Sequence, residues 1–192
     1  MEKSNELAVL ILAAGSSSRL GRPKQLLKYK GETFLEIAIK NALTISTNVN
    51  VVLGFEHQLC QKKIEKLNVN SFINSDYKKG MGSSIAFGVS QIQNVNKIMI
   101  MLCDQPLIPL SHYTKMIQKS EQSKKLMICS HYQNRLAVPS IFPKKYFPLL
   151  KELKEDEGAR DILKKSSLEC IPLEDKYSID IDTKNDYLQI IK

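Results

Sequence analysis

The chain has 192 residues, of which 43% are hydrophobic and 25% are charged, and its formal net charge is +8. This composition predicts one globular domain over residues 1–192 and excludes disordered and fibrous classes. The longest apolar run, in residues 7–14, is much shorter than the ~20 residues that span a bilayer. We therefore expect a cytoplasmic protein without a membrane partner. Its scattered lysine pairs have no interleaved aromatic residues, which favours a solvated basic surface over nucleic-acid binding.

Short apolar runs alternate with helical patterns along the chain. The early strands are continuous apolar runs, which is typical of a parallel sheet covered on both faces. The pattern predicts a three-layer α/β/α, Rossmann-like sandwich with a mostly parallel central sheet, and antiparallel pairing near one edge after residue 126. The predicted strands are 7–13, 50–54, 71–73, 97–102, 126–130, 136–142 and 168–171. The predicted helices are 33–43, 56–67, 83–93, 111–121, 144–153, 158–164 and 183–190.

The ligand of an open α/β sheet lies beyond the carboxyl ends of its strands. Four segments are therefore candidate binding loops: those that follow Ala13, Ile73, Leu102 and Ile181. Each is polar or rich in glycine.

The loop after the first strand carries Gly15, three serines, Arg19 and Lys24. Glycine and serine let backbone N–H groups approach a phosphate closely. The Arg19 guanidinium can donate two hydrogen bonds to one phosphate, and the Lys24 ammonium is a compact positive charge. A P-loop is excluded because Gly21 is followed by Arg22, and no Gly-x-Gly-x-x-Gly fingerprint is present. A simple surface turn is the alternative, but the combined spacing favours binding of a triphosphate.

The loop after the third strand contains Gly80, Gly82 and Ser83. The glycines permit close backbone approach, and Ser83 is a candidate helix N-cap. An ordinary loop with a capped helix is the alternative.

Two acidic positions follow at the same predicted edge. Asp104 directly follows a buried strand, where a carboxylate is a natural ligand for Mg²⁺; capping the turn at Pro106 is the alternative role. Asp180 and Asp182 point to one face if their segment is extended, and Thr183 would cap the last helix. Two such carboxylates repel each other unless a cation or an arginine lies between them.

These motifs together resemble one family. Residues 12–24 are similar to the L-A-A-G-x-S-x-R-x-G-x-x-K signature of MobA-like nucleotidyltransferases, and within them most similar to molybdenum cofactor cytidylyltransferases. The resemblance implies that the loop of Ala13, Ala14 and Gly15 binds the nucleotide, and that Arg19 and Lys24 act in binding and catalysis.

The later loops extend the resemblance. Gly80, Gly82 and Ser83 would contact the nucleoside. The segments L-x-D-x-P-L and D-x-D-T-P-E-D imply Mg²⁺ ligands at Asp104 and Asp182, which would also be catalytic, with Asp180 as the fallback ligand. Lys184 stands where the latter motif has proline.

Residues 138–142 and 156–160 are similar to the segments that face the acceptor in the same family. The resemblance implies that this region faces a pterin and that Arg160 grips the acceptor phosphate; a surface ion pair with Asp156 or Glu157 is the alternative. Val138 and Glu155 depart from the family pattern, in which a polar residue and a glycine are usual.

The activity implied by the resemblance is Mg²⁺-dependent transfer of CMP from CTP to molybdenum-bound molybdopterin, with an apo-molybdoenzyme of the xanthine dehydrogenase type as partner. Family members that use CTP tend to have alanine at position 14, as this chain does, whereas those that use GTP have glycine. The alternatives are guanylyl transfer to the same pterin, transfer to a sugar or alditol phosphate, and a non-catalytic nucleotide- or cofactor-binding chaperone. The joint presence of Lys24, Asp104 and Asp182 favours an enzyme.

Overall fold

The computed structural model describes residues 6–164 and 167–191 of the chain. The strands are β1 Leu7–Ala13, β2 Lys28–Tyr29, β3 Glu32–Thr33, β4 Asn48–Leu53, β5 Asn70–Ile73, β6 Lys97–Leu102, β7 Met127–Tyr132, β8 Arg135–Pro143 and β9 Leu168–Pro172. The helices are α1 Phe34–Ile45, α2 His57–Ile64, α3 Met81–Gln91, α4 Leu110–Gln122, α5 Phe147–Lys151, α6 Ala159–Leu163 and α7 Lys184–Ile191.

The large sheet has the strand order β5-β4-β1-β6-β8-β7-β9. Strands β5, β4, β1 and β6 are parallel neighbours, β8 runs antiparallel to both β6 and β7, and β9 is parallel to β7. This confirms the predicted mostly parallel sheet with an antiparallel portion towards one edge. The carboxyl ends of β1 and β6 are adjacent, which brings the loops after Ala13 and Leu102 together.

Helices cover both faces of the sheet because side chains of β1 alternate between two buried clusters. Val9 and Ile11 lie in the cluster that contains residues of α1, α2 and α4. Leu10 and Leu12 lie in the cluster formed with α3, α5 and α6. Successive residues of a strand point to opposite faces, so an unbroken apolar strand feeds both layers. The three-layer prediction is therefore confirmed.

Several local features differ from the sequence prediction. The predicted helix 144–153 is a 3-10 turn over Lys144–Tyr146 followed by the short α5, which has a proline in its first turn. Helix α3 begins at Met81, two residues earlier than expected. The small hairpin of β2 and β3 was not predicted. Within the described residues, none of the helices has the length and apolar character needed to cross a membrane.

Candidate functional site

The loop after β1 is built around a buried glutamine. The Gln25 side chain is fully buried, and its Nε2 donates to the carbonyls of Ala13 and Gly15, both at 2.8 Å. The Lys24 backbone N–H donates to Oγ of Ser17 at 3.1 Å. These bonds tie both ends of the loop together and fix where the Lys24 side chain leaves the backbone. Sequence reasoning missed Gln25, since nothing in its immediate neighbours reveals that it turns inward.

Lys24 joins two of the predicted acidic residues. Its ammonium donates to one carboxylate oxygen of Asp104 and to Oδ1 of Asp182, the latter at 2.9 Å. Burial by itself lowers the pKa of Lys24. Attraction to the Asp104 carboxylate and the hydrogen bonds to both carboxylates together outweigh that effect, so the pKa lies above its ordinary value. Lys24 therefore stays charged at neutral pH. The structure thus brings three of the sequence-predicted site residues into direct contact.

The Asp182 carboxylate is positioned by its own segment. The Ile181 N–H donates to the Asp104 carbonyl at 3.1 Å, which fastens the segment to the end of β6. The backbone N–H groups of Asp182 and Thr183 donate to the Asp186 carboxylate at 3.1 and 2.7 Å, and the Asp186 N–H donates to Oγ1 of Thr183 at 3.2 Å. These bonds form the predicted Thr183 cap of α7. Ile181 is fully buried, so Asp180 and Asp182 both lie on the site side.

A cavity of about 420 Å³ opens above this cluster, and we call it the first cavity. It is lined by five residues of the predicted site, namely Ala14, Gly15, Lys24, Gly80 and Asp104, together with Leu12, Ser16, Tyr77, Lys78, Met81, Ser84, Leu102 and Asp156. A side chain built on Gly15 would meet nothing within 4 Å, so the protein itself makes no use of that open space. Arg19 is exposed on the outer turn of the loop, outside the cavity lining.

The glycine loop before α3 approaches another part of the protein. Gly80 has a φ of +110°, and a side chain there would collide with the backbone of Glu155. The Gly82 N–H donates to the Glu155 carbonyl at 2.8 Å. The backbone that lies closest to these two glycines is therefore that of the chain's own residues 154–157. Gly80 also lines the first cavity.

The expected N-cap role of Ser83 is wrong, because α3 begins at Met81 and Gly80 occupies the N-cap position. The Ser83 hydroxyl lies 3.1 Å from the Asp76 carbonyl and 3.0 Å from the Gly80 carbonyl. It stabilises the loop from within.

A smaller cavity of about 140 Å³ adjoins the first, and we call it the second cavity. The two share Leu12, Met81 and Leu102 as a common wall. Arg160 and Val138 line the second cavity, and neither lines the first. Most of the cavity-lining residues in the region that sequence analysis assigned to the acceptor thus belong to the second cavity, whereas Asp156 lines the first.

Four polar residues close one end of the second cavity. Gln105 Nε2 donates to Asp180 Oδ1 at 2.7 Å and to Tyr132 Oη at 3.0 Å, while Tyr132 Oη donates to the Val138 carbonyl at 3.2 Å. Arg135 lies 3.4 Å from Asp180 Oδ2 and stacks over the Tyr132 ring. Burial raises the pKa of Asp180, with a further contribution from Asp104. Gln105, Tyr132 and Arg135 were not predicted, since they become neighbours only when β7 and β8 pair beside β6.

Lys24 contacts one oxygen on each of two carboxylates, those of Asp104 and Asp182. Oδ1 of Asp104 is buried and has no hydrogen-bond partner among the described residues. The Asp182 side chain is 45% exposed. Mg²⁺ keeps several waters and needs only one or two protein carboxylates, so this donor set fits such an ion. No group of three or more His, Cys, Asp or Glu side chains is placed to hold a metal within residues 6–164 and 167–191.

Known proteins are similar to this chain in sequence. Residues 9–170 match the family model of the MobA-like NTP transferase domain. The purine catabolism protein PucB of Bacillus subtilis (strain 168) is 32% identical over 199 residues, covering 96% of each chain. A probable molybdenum cofactor guanylyltransferase of Bacillus cereus (strain AH187) is 26% identical and covers 98% of this chain and 97% of its own.

The fold also resembles that of a solved structure. The crystal structure of Rv0371c from Mycobacterium tuberculosis H37Rv superposes with a TM-score of 0.87 at 22% identity, covering 100% of this chain and 99% of that one. The same protein has been solved in complex with manganese, and that structure has a TM-score of 0.82 at 20% identity, covering 97% and 98% of the two chains.

Proposed function

Because the chain belongs to the MobA-like nucleotidyltransferase family, we propose that it transfers CMP from CTP to molybdenum-bound molybdopterin. The products are pyrophosphate and the cytosine dinucleotide of the cofactor. An apo-molybdoenzyme of the xanthine dehydrogenase type is the proposed recipient of that product. The catalytic domain in this proposal is residues 1–192, and the cytoplasm is the proposed compartment.

The observation that carries the proposal is the position of the Lys24 cluster, which we define as Lys24, Asp104 and Asp182. Lys24 and Asp104 line the first cavity. Gln105 and Asp180, the chain neighbours of this cluster, line the second cavity. The cluster therefore lies where a nucleotide in one compartment and an acceptor in the other would meet.

The groups that line the first cavity support the proposal that it binds the nucleotide. The backbone at Gly15 and Ser16 faces open space, and Lys24 adds a fixed positive charge. Both features favour phosphate oxygens. Gly80 lines the same cavity, and we retain Gly82 and Ser83 as proposed supports of the nucleoside because they shape this loop. Arg19 is exposed, and it would reach the outer phosphates as a forked donor.

The proposed reaction needs positioning and charge neutralisation. An oxygen of the acceptor phosphate attacks the α-phosphorus, a new P–O bond forms, and the bond to the departing pyrophosphate breaks. The attacking phosphate is already anionic near neutral pH, so no general base is required. Lys24 neutralises the charge that develops in the transition state, and the two cavities hold the reacting groups in line. Mg²⁺ held by Asp104 and Asp182 would supply further neutralisation of phosphate charge.

Base selection is assigned to Ala14. Its side chain is 4% exposed and lines the first cavity. A methyl group there narrows the space for the base, and a purine is wider than a pyrimidine. A second candidate is guanylyl transfer to the same pterin, which is favoured by the relative named as a probable molybdenum cofactor guanylyltransferase.

A competition assay tests the proposal. The protein is mixed with equal concentrations of CTP, GTP, ATP and UTP, with Mg²⁺ and molybdenum-bound molybdopterin. Pyrophosphate release is followed and the products are identified by mass. We expect the cytosine dinucleotide to dominate. A dominant guanine dinucleotide would support the second candidate, and nucleotide binding without pyrophosphate release would favour a non-catalytic cofactor chaperone.

A further inference from the structure

Two cysteine side chains meet near one edge of the large sheet, and we call Cys129 and Cys170 the thiol pair. Cys129 of β7 and Cys170 of β9 are direct partners in the parallel pairing of these strands. Partners in a strand pair point to the same face of the sheet, and the two Sγ atoms lie 3.4 Å apart. Neither residue lines the first or the second cavity, so the proposed transfer reaction does not involve the thiol pair.

The two thiols differ in their access to solvent. Cys129 is fully buried in the apolar cluster that contains residues of α3, α5 and α6. Cys170 is exposed, and its strand β9 is the last strand of the sheet. Burial raises the pKa of the Cys129 thiol, and the contact with Cys170 raises it further. A dissolved oxidant therefore reaches Cys170 first, while Cys129 remains a protonated thiol beside it.

The backbone geometry of the thiol pair suits a disulfide bond. Neighbouring strands lie about 4.8 Å apart, and the Cα atoms of disulfide-bonded cysteines are usually about 4.4–6.8 Å apart. The two sulfurs need to approach only from 3.4 Å to the roughly 2.0 Å of an S–S bond. Cys60 and Cys103, the other two cysteines of the chain, are buried in the cluster on the opposite face of the sheet. The sheet therefore separates them from the thiol pair.

We propose that the thiol pair is an oxidation site, at which a hydroperoxide converts Cys129 and Cys170 into a reversible intramolecular disulfide. In the first step the Cys170 sulfur attacks one oxygen of hydrogen peroxide, the O–O bond breaks, and Cys170 becomes a sulfenic acid. The Cys170 thiol proton leaves with the other oxygen as water. In the second step the Cys129 sulfur attacks the Cys170 sulfur, the S–O bond breaks, and the hydroxyl group leaves with the Cys129 proton as a second water. The two thiols together lose two electrons and two protons, and the peroxide is reduced to two water molecules.

The disulfide would fasten the edge of the sheet. Strand β9 has β7 as its neighbour in the strand order, and the Leu173 N–H continues this pairing by donating to the His131 carbonyl at 3.0 Å. The new bond would join cysteines that are 41 residues apart in the chain. A disulfide stabilises mainly by restricting the unfolded chain, and more so for longer loops. We therefore expect the oxidised protein to be more stable than the reduced protein.

Mass spectrometry of the full chain tests whether the bond forms. The reduced protein is treated with a small excess of hydrogen peroxide, and its intact mass is measured without a reductant. We expect the mass to fall by that of two hydrogen atoms, and trypsin should release residues 126–135 and 166–176 as one linked peptide. Dithiothreitol should separate the two peptides by thiol–disulfide exchange. Oxygen addition at Cys170 without a link, or a covalent dimer of the chain, would overturn the proposal.

Three variants identify the thiols that take part. Cys170→Ser should abolish the loss of two hydrogen atoms, and Cys129→Ala should leave a sulfenic acid at Cys170 that dimedone labels. Cys60→Ala removes a buried thiol of the other cluster and should keep the link. Thermal melts check that the variants fold, and the linked peptide of the wild-type protein stands as a test even if Cys129→Ala does not. A loss of two hydrogen atoms that persists in Cys170→Ser, or a missing link in folded Cys60→Ala, would contradict the assignment.

Thermal stability gives a second measurement of the same bond. The oxidised wild-type protein should melt at least about 4 °C above the reduced protein, because the disulfide restricts its unfolded state. Dithiothreitol should remove this difference. Cys170→Ser should melt at the same temperature with and without peroxide treatment. Equal melting temperatures for the reduced and the linked wild-type protein would contradict the fastening of β9 to β7.

Discussion

Two cation–carboxylate clusters lie side by side in this molecule, and they differ in charge balance. The Lys24 cluster combines one ammonium with two carboxylates, whereas Arg135 pairs with Asp180 alone. The ammonium is a compact point charge, and the Arg135 guanidinium is planar and stacks over Tyr132. In the proposed function, the carboxylate oxygens of the first arrangement that Lys24 does not contact would bind a divalent cation. The second pairs one cation with one carboxylate, so its formal charges balance.

The largest effect is expected from replacing the two carboxylates of the Lys24 cluster. Asp104→Asn and Asp182→Asn should each abolish divalent-cation-dependent turnover, because an amide is a much weaker ligand for Mg²⁺ than a carboxylate. Asp180→Asn should retain the cation dependence, since Asp180 contacts Gln105 and Arg135 instead. Initial rates measured against Mg²⁺ concentration check all three variants. An unchanged Mg²⁺ dependence in Asp104→Asn or Asp182→Asn would exclude that residue as a ligand.

The next largest effect is expected from removing the Lys24 ammonium from the same cluster. Lys24→Ala should lower turnover roughly a hundredfold or more, since losing one preorganised donor to transition-state charge costs ~3 kcal/mol. The protein should still fold, although Asp104 loses its partner, so both the melting temperature and the rate are measured. The exposed Lys28 supplies the control, and Lys28→Ala should keep wild-type turnover. Turnover of Lys24→Ala within a few fold of wild type would contradict the assignment.

A smaller change concerns base selection in the first cavity. Ala14→Gly should shift the CTP-to-GTP preference towards GTP by roughly tenfold to a hundredfold, because a mismatched base leaves buried polar groups unpaired at a cost of ~1–3 kcal/mol. The ratio of kcat/KM for the two nucleotides measures the shift. An unaltered nucleotide preference would remove Ala14 from base selection.

The smallest effect on turnover is expected from the buried support of the first loop. Gln25→Leu removes the donor to the Ala13 and Gly15 carbonyls, which should lower the free energy of unfolding by ~1–3 kcal/mol. The KM for the nucleotide should rise while kcat changes less, since Lys24 and Asp104 remain. Urea unfolding and steady-state kinetics check both expectations. Gln91→Leu, at an exposed end of α3, is the matched control and should be nearly neutral.

Local patterns predicted much of the fold and part of the site. Continuous apolar strands such as β1 and β6 predicted the parallel sheet, and Asp104 was recognisable because it directly follows a buried strand. Thr183 was recognisable as a cap because its partner Asp186 is three residues away. The start of α3 was misplaced because a serine next to glycines resembles an N-cap, whereas the actual N-cap is Gly80.

The sequence by itself determined the layers, the strands of the large sheet and the spacing of Gly15, Arg19 and Lys24, because these depend on periodicity and on neighbours a few residues apart. Only the tertiary structure decided that Lys24 meets carboxylates 80 and 158 residues away in the chain. It also decided that Gln105 and Asp180, separated by 75 residues, form the end of a second cavity. Contacts of this length are set by strand order and by the packing of buried faces, which no local pattern specifies.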